Sequence, residues 1–391
     1  EKYLDNIGND KKKFSSYLST ITKQIKEIEH LVNEFSDFAR MPKPILKNID
    51  IKTRTIVAAF HSYNFLLARE NLTDHLTLSE RKDKIRQRLW KIRAKKVIIA
   101  TGAIERPLIF NNNDRPGILL SSAVKKYIDY FGVIGGKKSV VFTNNDSGYE
   151  TAVSLSEKGV KVNCIIDIRK KNSSELIKKV ENLGIKIYWE HTIVGTDGYR
   201  RLKKISIMSL SKDGSLVTGE KINIYCDCLA MSGGWTPAVH LFTQSGGKLK
   251  FREKDQVFIP DTAQSDQISV GSCNGNFGLE GVIKNTISDV NKFLNWEKNI
   301  YQTIDVNCSK QSYRRNIWLL PSDKIFGKTK PFVDFQNDAT AKDIKLAVRE
   351  GFRSIEHVKR YTTTGMGTDQ GKLGNMHALG IVSETVGVKM S

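Results

Sequence analysis

Apolar side chains recur with a helical period in the first part of the chain. From Phe14 to Phe35, seven apolar residues follow one another at alternating steps of four and three residues. This spacing predicts a long amphipathic helix with one apolar seam, as in a coiled coil or a four-helix bundle. The segment from Met41 to Pro44 predicts the end of the helix, because proline cannot donate a backbone hydrogen bond and disfavours helical geometry before it. A helix-mediated dimer is therefore one expectation.

Beyond these prolines, short apolar runs replace the helical period and predict strands. Residues 86–103 read as a strand, a turn and a second strand, and the second strand, residues 96–100, is apolar enough to be buried. It ends in Thr101 and Gly102. Ligands bind at the carboxyl ends of strands in a doubly wound sheet, and glycine there permits close backbone approach.

A parallel β-α-β unit is predicted farther along the chain. Residues 137–143 read as a strand, 147–158 as a helix closed by Gly159, and 160–166 as the next strand. A dinucleotide site usually has Gly-x-Gly-x-x-Gly at the first turn, so that pyrophosphate rests on the helix N-terminus. Here the turn reads Thr-Asn-Asn-Asp-Ser-Gly, and the Asp146 carboxylate would repel a phosphate. We expect this second nucleotide fold to be structural.

The amino-acid sequence of the first predicted helix is similar to that of a known protein family. Residues 28–44, IEHLVNEFSDFARMPKP, closely resemble the second dimerisation helix of nitrogen-regulation sensor histidine kinases, and the match covers about residues 8–50. In that family the phosphorylated histidine precedes this helix and a later domain binds ATP. His30 lacks the family's His-Glu-x-x-Asn-Pro context, so no kinase activity is expected. A signalling fusion dimerised by this helix is one interpretation.

Three later runs resemble a different family, the large (alpha) subunit of heterotetrameric sarcosine oxidase. They are AIERPLIF at residues 103–110, NDRPGILL at 113–120 and VVFTNNDS at 140–147, in that order. The resemblance covers about residues 54–391, and the junction near residues 50–54 is abrupt, which favours a joined fragment. By resemblance, the whole complex oxidises sarcosine, passes electrons to flavin and oxygen, and transfers a one-carbon unit to tetrahydrofolate. Opine and hydroxyproline oxidases share this subunit type and are the alternative.

The resemblance implies a partial α/β fold of the two-dinucleotide-binding-domain flavoprotein type. A long amphipathic helix precedes this fold and a small helical domain follows it. The expected domains are a sensor-kinase-like helix at 1–50, a partial FAD/NAD-type domain at 51–135 plus 236–300, an inserted second nucleotide fold at 136–235, and a linker with the small helical domain at 301–391.

Cofactor contacts are also implied by the resemblance. Thr101 and Gly102 form an Ala-Thr-Gly turn that recurs in such flavoproteins, and Gly271 and Gly275 lie in a turn that approaches the cofactor; simple turn glycines are the alternative. The nucleotide in this subunit is expected to be NAD, bound weakly or lost without the family's glycine-rich turn. The redox flavin is expected in a partner subunit of a hetero-oligomeric oxidase, so no residue here is assigned a catalytic role.

The C-terminal part resembles the small helical domain that holds an iron–sulfur cluster through four cysteines in related dehydrogenases. No cysteine follows Cys308, so no cluster and no other metal site is expected. A helix should begin at Thr340, whose hydroxyl can cap it. The glycine-rich loop at residues 365–371 is either a packed connector or a surface that faces a flavin or a partner.

Composition argues against nucleic-acid-binding, membrane-spanning and secreted proteins. The net charge is +20, but the lysines are scattered and accompany Asn and Ile, as in A/T-rich genomes, so no nucleic-acid partner is expected. No apolar run is long enough for a membrane span, and the N-terminus lacks the pattern of a secretory signal. The lone histidines His61, His240 and His357 are expected in packing or solvent.

Cysteine usage points to a reducing compartment. The chain has five cysteines, an odd number without spaced pairs of pairs, which favours free thiols and a cytoplasmic protein. Residues 221–230 alternate like one strand, which would place the sulfurs of Cys226 and Cys228 on the same face. Both thiols are expected to be buried.

Overall fold

A computed structural model describes residues 51–295 and 317–390, together with the isolated helical positions Thr22, Ile25 and Lys26. The predicted seam from Phe14 to Phe35 otherwise lies outside the described residues. The described chain divides into two units, one of residues 51–55 and 70–88, and one of residues 56–69, 89–295 and 317–390. None of the described helices is long and apolar enough to cross a membrane.

The smaller unit contains one short helix, α1 (Leu78–Arg81). Thr77 precedes the helix and forms a capping box with Glu80, whose carboxylate accepts hydrogen bonds from the Thr77 backbone N–H at 3.0 Å and from its hydroxyl at 2.8 Å. These bonds hold the first turn in place, because the first N–H groups of a helix have no partner inside the helix.

The larger unit holds most of the regular structure. Its strands, some of which extend into the smaller unit, are β1 (Thr55–His61), β2 (Phe65–Asn71), β3 (Gln87–Arg93), β4 (Val97–Ile99), β5 (Ala103–Glu105), β6 (Ile118–Leu120), β7 (Lys138–Thr143), β8 (Lys161–Asp167), β9 (Lys186–Trp189), β10 (His191–Asp197), β11 (Lys204–Leu210), β12 (Val217–Tyr225), β13 (Cys228–Ser232), β14 (Trp235–Pro237), β15 (Lys248–Arg252), β16 (Val257–Thr262), β17 (Gln267–Ser269), β18 (Phe332–Asp334) and β19 (Ala339–Thr340). Its helices are α2 (Ser121–Phe131), α3 (Ser147–Glu157), α4 (Glu175–Asn182), α5 (His240–Gln244), α6 (Leu279–Leu294), α7 (Ala341–Arg349), α8 (Ile355–Thr362) and α9 (Asn375–Val386).

A five-stranded parallel sheet of order β6-β13-β7-β8-β9 forms the second nucleotide fold. The predicted β-α-β unit is confirmed as β7, α3 and β8. Side chains alternate across β7, so that Val140 and Phe142 enter one apolar core and Val141 enters another. Helices α2, α3 and α4 cover the Val141 face, and the antiparallel sheet β10-β11-β12 covers the other. Burial on both faces explains why the three central residues of this strand, 140–142, are all apolar.

The cysteine prediction needs a correction. Residues 221–230 do not form one strand, because β12 ends at Tyr225 and β13 begins at Cys228 in a different sheet. Cys226 lies in the core on the Phe142 side of the parallel sheet and Cys228 in the core on the Val141 side. Their sulfurs therefore do not share a face, although both thiols are buried as expected.

Shorter pairings build the first nucleotide fold around residues 97–105 and 235–269. Strands β17 and β4 pair in parallel, while β14 with β5 and β15 with β16 pair antiparallel. The prediction of a strand, a turn and a second strand in residues 86–103 is confirmed by β3 and β4. The expected burial of the second strand is wrong, because β4 pairs with β17 alone among the described residues, and Ile98 is 40% exposed while Ile99 is buried. This part presents the carboxyl ends of β4 and β17 together, and the candidate site lies at that edge.

The C-terminal residues form a helical region, as expected. Its core contains Trp318, Ile344 and Val358 from separate segments of residues 317–390. Helix α7 begins after Thr340, whose hydroxyl accepts a hydrogen bond from the Asp343 backbone N–H at 3.4 Å, while the Thr340 N–H donates to the Asp343 carboxylate at 2.9 Å. The predicted cap is confirmed. The division into four domains stays a prediction.

Candidate dinucleotide-binding edge

Two parallel strands bring three of the four predicted site residues to one edge. The register pairs Val97 with Gln267 and Ile99 with Ser269, and the Val270 N–H extends the ladder with a 2.9 Å bond to the Ile99 carbonyl. Thr101 and Gly102 follow β4, and Gly271 follows β17. Because the strands are parallel, both turns leave the sheet on the side where such folds bind ligands.

The turn after β4 is fixed by hydrogen bonds to a separate segment. Thr101 Oγ1 donates to the Ala238 carbonyl at 2.7 Å, and the Ala238 N–H donates to the Gly102 carbonyl at 3.0 Å. Gly102 has φ +72°, a conformation that favours glycine, and no atom lies within 4 Å of the position that a Cβ would occupy. The backbone at Gly102 is therefore both ordered and open to close approach.

The turn after β17 contains the other two predicted glycines, which differ in their surroundings. Gly271 has φ +69° and begins a short 3-10 helix (Gly271–Asn274), and a Cβ there would lie in ordinary contact with Val282 at 3.5 Å. At Gly275 a Cβ would lie only 2.8 Å from atoms of Arg252 and Ile259. The Arg252 guanidinium also donates to the Gly275 carbonyl at 2.6 Å. Internal packing alone thus requires glycine at position 275.

Helix α6 adds groups that the sequence patterns did not single out. Its N-cap is Gly278, which has no side chain to bond the first N–H groups, and the space beside Gly278 and Gly281 is open. Two buried hydroxyls, Ser269 Oγ at the end of β17 and Thr286 Oγ1 near Gly271, make no hydrogen bond within the described residues. The uncapped N-terminus of this 16-residue helix suits an anionic ligand, whereas Ser269 lines a cavity with Asp289 and Lys292 toward the other end of the helix.

The turn of the second nucleotide fold is occupied by the protein's own side chains. Arg169 donates from Nη1 to the Asp146 carboxylate at 2.7 Å and from Nη2 to the Asp167 carboxylate at 2.8 Å. The Tyr149 hydroxyl donates to Asp167 at 2.8 Å, and a Cβ at Gly148 would lie 2.7 Å from Thr143 atoms. Burial raises the pKa of Asp167 and of Tyr149. These side chains occupy the turn where a pyrophosphate would bind in a nucleotide-binding fold.

The glycine-rich C-terminal loop is bonded internally. The Gly365 N–H donates to the Asp334 carboxylate at 2.7 Å, and the Gly371 N–H donates to Asp369 at 3.0 Å. A Cβ at Gly367 would lie 2.3 Å from the Gln336 side chain. These contacts favour the packed connector of the two interpretations of residues 365–371.

Within residues 51–295 and 317–390 no group of three or more His, Cys, Asp and Glu side chains could hold a metal ion. Cys164, Cys226, Cys228 and Cys273 are buried free thiols. Burial raises the pKa of Cys164 and of Cys226 to about 12. These cysteines therefore act as small apolar side chains and not as thiolate ligands.

The two nucleotide folds and the strand-end glycines define the FAD/NAD(P)-binding flavoprotein class. Residues 62–269 match the family described as pyridine nucleotide-disulphide oxidoreductase, and the chain belongs to this family. Residues 328–391 match the sarcosine oxidase A3 domain. Neither match includes the histidine-kinase-like segment, residues 8–50.

Curated relatives carry the similarity over most of the chain. It is 33% identical over 343 residues to sarcosine oxidase subunit alpha of Corynebacterium sp. (strain P-1), covering 86% of this chain and 35% of the relative. With the same subunit of Rhizobium meliloti (strain 1021) it is 33% identical over 367 residues, covering 90% and 35%. The chain thus spans 35% of the length of these relatives.

Among solved structures, L-proline dehydrogenase from P. horikoshii superposes with a TM-score of 0.54 at 19% identity. The alignment covers 86% of this chain and 60% of that one. At this identity the likeness establishes the fold alone.

Proposed function

We propose that this chain is part of the large subunit of a multisubunit sarcosine oxidase. The observation that carries the proposal is the 33% identity to sarcosine oxidase alpha subunits over 343 and 367 residues. The match of residues 328–391 to the sarcosine oxidase A3 domain supports the same subunit. The activity would be oxidative demethylation of sarcosine by the whole complex, with this chain as a nucleotide-binding and assembly component.

The first nucleotide fold would hold one side of an NAD molecule. Gly102 and Gly271 would let the backbone approach the dinucleotide, and Thr101 would keep the first turn in place through its bond to Ala238. Gly275 would stabilise the second turn by packing closely against Arg252 and Ile259. The uncapped N-terminus of α6 would donate backbone N–H groups to a phosphate. Weak binding of NAD by this chain alone is part of the proposal.

The partner subunits complete the proposal. When bound there, a flavin supplies the chemistry that accepts electrons from the amine. The residues of this chain bind and orient the nucleotide and are assigned no proton transfer. A cytoplasmic location is part of the proposal, supported by the four buried free thiols.

The test is to purify the complex from its source cells through an affinity tag on this chain. Mass spectrometry should find the other oxidase subunits, and the nucleotide extracted after denaturation should be NAD. Oxygen consumption should be stimulated by sarcosine. Turnover of hydroxyproline or an opine, with none of sarcosine, would replace the proposed substrate by the alternative one. A purified complex without any flavoprotein partner would contradict the proposal.

A further inference from the structure

A cavity lies between the β5–β14 pair and the carboxyl end of the five-stranded sheet. It has a volume of about 310 Å³ and opens between helices α2 and α3, with Glu105, Ser122, Lys125, Ser147, Glu150 and Trp235 in its lining. This volume is at the small end of the range for ligand cavities. It would take a molecule of roughly amino-acid size.

A buried carboxylate with an unbonded oxygen forms part of the lining. The Glu105 side chain is 3% exposed, and its Oε2 accepts the Ser122 backbone N–H at 2.8 Å. Its Oε1 has no hydrogen-bond partner among the described residues, although the Ser232 hydroxyl lies near enough to the carboxylate to influence its pKa. Burial raises the pKa of the Glu105 carboxyl, although Ser122 and Ser232 act in the opposite direction. A buried acceptor without a donor costs free energy, so a ligand that donates a hydrogen bond to this oxygen would remove that cost.

Some of the other polar groups around the cavity already have partners, whereas Glu150, Lys126 and Tyr130 have no hydrogen bond or ion pair within the described residues. Lys125 is paired with Asp129 at 2.9 Å, and the Ser147 hydroxyl accepts the Trp235 indole N–H at 3.1 Å. Glu150 forms no hydrogen bond within the described part of the chain and lies on the same helix face as Ser147, one turn away. The lining contains three carboxylates and two lysines, Lys125 and Lys126. The acceptors that remain without a donor are Glu105 Oε1 and the Glu150 carboxylate, and both could bond the N–H groups of a cation.

The aromatic ring of Trp235 lies on the strand next to Glu105. Trp235 of β14 is the direct cross-strand partner of Glu105 in β5, so the two side chains project from the same face of this ladder. The bond from the indole to Ser147 fixes the ring plane. Carboxylate and aromatic ring side by side are the usual recognition elements for an ammonium group.

We propose that this cavity is a binding site for a small molecule with a protonated primary or secondary amine, whose N–H groups bond Glu105 Oε1 and Glu150 and whose carbon atoms pack on Trp235. The cavity lining contains none of the residues proposed to contact NAD, Thr101, Gly102, Gly271 and Gly275. The amine site does not depend on the proposed oxidase activity. A phosphate-bearing ligand is disfavoured by the carboxylates.

The probe is piperidinium, a secondary ammonium ion with six heavy atoms, titrated into the full chain by calorimetry at constant ionic strength. For a ligand of this size, a Kd of about a millimolar or tighter is expected. The matched probe is N,N-dimethylpiperidinium, which keeps the ring and the charge but has no N–H to donate. It should bind at least about tenfold more weakly, because a hydrogen bond to a charged group is lost.

Variants assign the site. Glu105→Gln should weaken piperidinium binding at least about tenfold, and Glu150→Gln should weaken it less, because Glu150 is exposed. Glu157→Gln, on the same helix but paired with Lys179 outside the cavity, should bind as the parent does. Because Glu105→Gln alters a buried group, Glu150→Gln serves as the second test if the first variant unfolds. Equal affinity for the two probes, no measurable binding, or unchanged affinity in both cavity variants would overturn the proposal.

Discussion

Arg169 closes the turn after β7 by donating from Nη1 to the Asp146 carboxylate at 2.7 Å, 23 residues away in the sequence. The Arg169 and Asp146 side chains are 3% and 7% exposed, and the second acceptor of Arg169, Asp167, is fully buried. In a nucleotide-binding fold this turn would face a pyrophosphate. Here a guanidinium and two carboxylates occupy it, which supports the prediction that this nucleotide fold is structural.

Removing Arg169 should destabilise the protein strongly. Arg169→Met leaves two buried carboxylates without a counter-ion and should lower the free energy of unfolding by about 3–5 kcal/mol. Arg169→Lys keeps the charge but cannot bond both carboxylates in the same way, so an intermediate loss is expected. Urea denaturation of the full chain measures both values.

The control for this prediction is an ion pair on the surface. Lys179 and Glu157 are both about half exposed, and Lys179→Met should cost only about 0–1 kcal/mol. If Arg169→Met cost no more than the Lys179 variant, the buried cluster would not hold the turn.

The sequence predicted this turn in part. The β-α-β unit could be recognised because β7 is apolar on both faces and a helix-closing glycine follows α3 at Gly159. The poor fit of a phosphate could be recognised from Asp146. The role of Arg169 could not, because the contact depends on the end of the neighbouring strand and no local spacing signals it.

The candidate dinucleotide-binding edge could also be predicted from the sequence only in part. Thr101, Gly102 and Gly271 follow apolar strands, so their position at a strand edge could be predicted, and the parallel pairing of β4 with β17 brings them together. The unbonded hydroxyls of Ser269 and Thr286 carry no sequence signal. The misreading of residues 221–230 has a physical cause, since alternation continues across Cys226 while the chain passes from one sheet to another.

The buried imidazole of His377 should make stability depend on pH. Burial, aided by the nearby charge of Arg106, lowers the pKa of His377 to about 3. Below about pH 6.5 this histidine is protonated in the unfolded chain but stays neutral in the folded protein. The free energy of unfolding is therefore highest above this pH and falls as the pH decreases toward about 3. The loss from this group should approach about 1.4 kcal/mol per pH unit.

The measurement compares urea denaturation of the parent and His377→Gln between about pH 7.5 and pH 5. The variant keeps a polar side chain near the Trp318 carbonyl, which lies 3.3 Å from His377 Nδ1, but has no proton to gain. Its stability should therefore fall less steeply over this range. Parallel slopes for the two proteins would show that His377 does not contribute to acid sensitivity.

The buried cysteines should be unreactive until the protein unfolds. Cys164, Cys226, Cys228 and Cys273 are buried, and the raised pKa of about 12 for Cys164 and Cys226 leaves almost no thiolate at neutral pH. In a Cys308→Ser variant, which removes the fifth thiol, Ellman's reagent should titrate four thiols in urea. Without denaturant it should react with few of them over the same time. Fast reaction of any thiol in the folded variant would contradict the burial described here.

The contribution of Gly102 to nucleotide binding can be separated from its backbone conformation by comparison with Gly132. Both glycines have left-handed φ angles, +72° and +65°, and neither has an atom within 4 Å of the Cβ position. Alanine at either position should therefore cost a similar amount of stability, about 1 kcal/mol. Only at Gly102 would the new methyl group enter the space proposed for the dinucleotide. In the purified complex, Gly102→Ala should lower the NAD content while Gly132→Ala leaves it unchanged. Equal NAD content in the two variants would show that the nucleotide does not bind at the turn after β4.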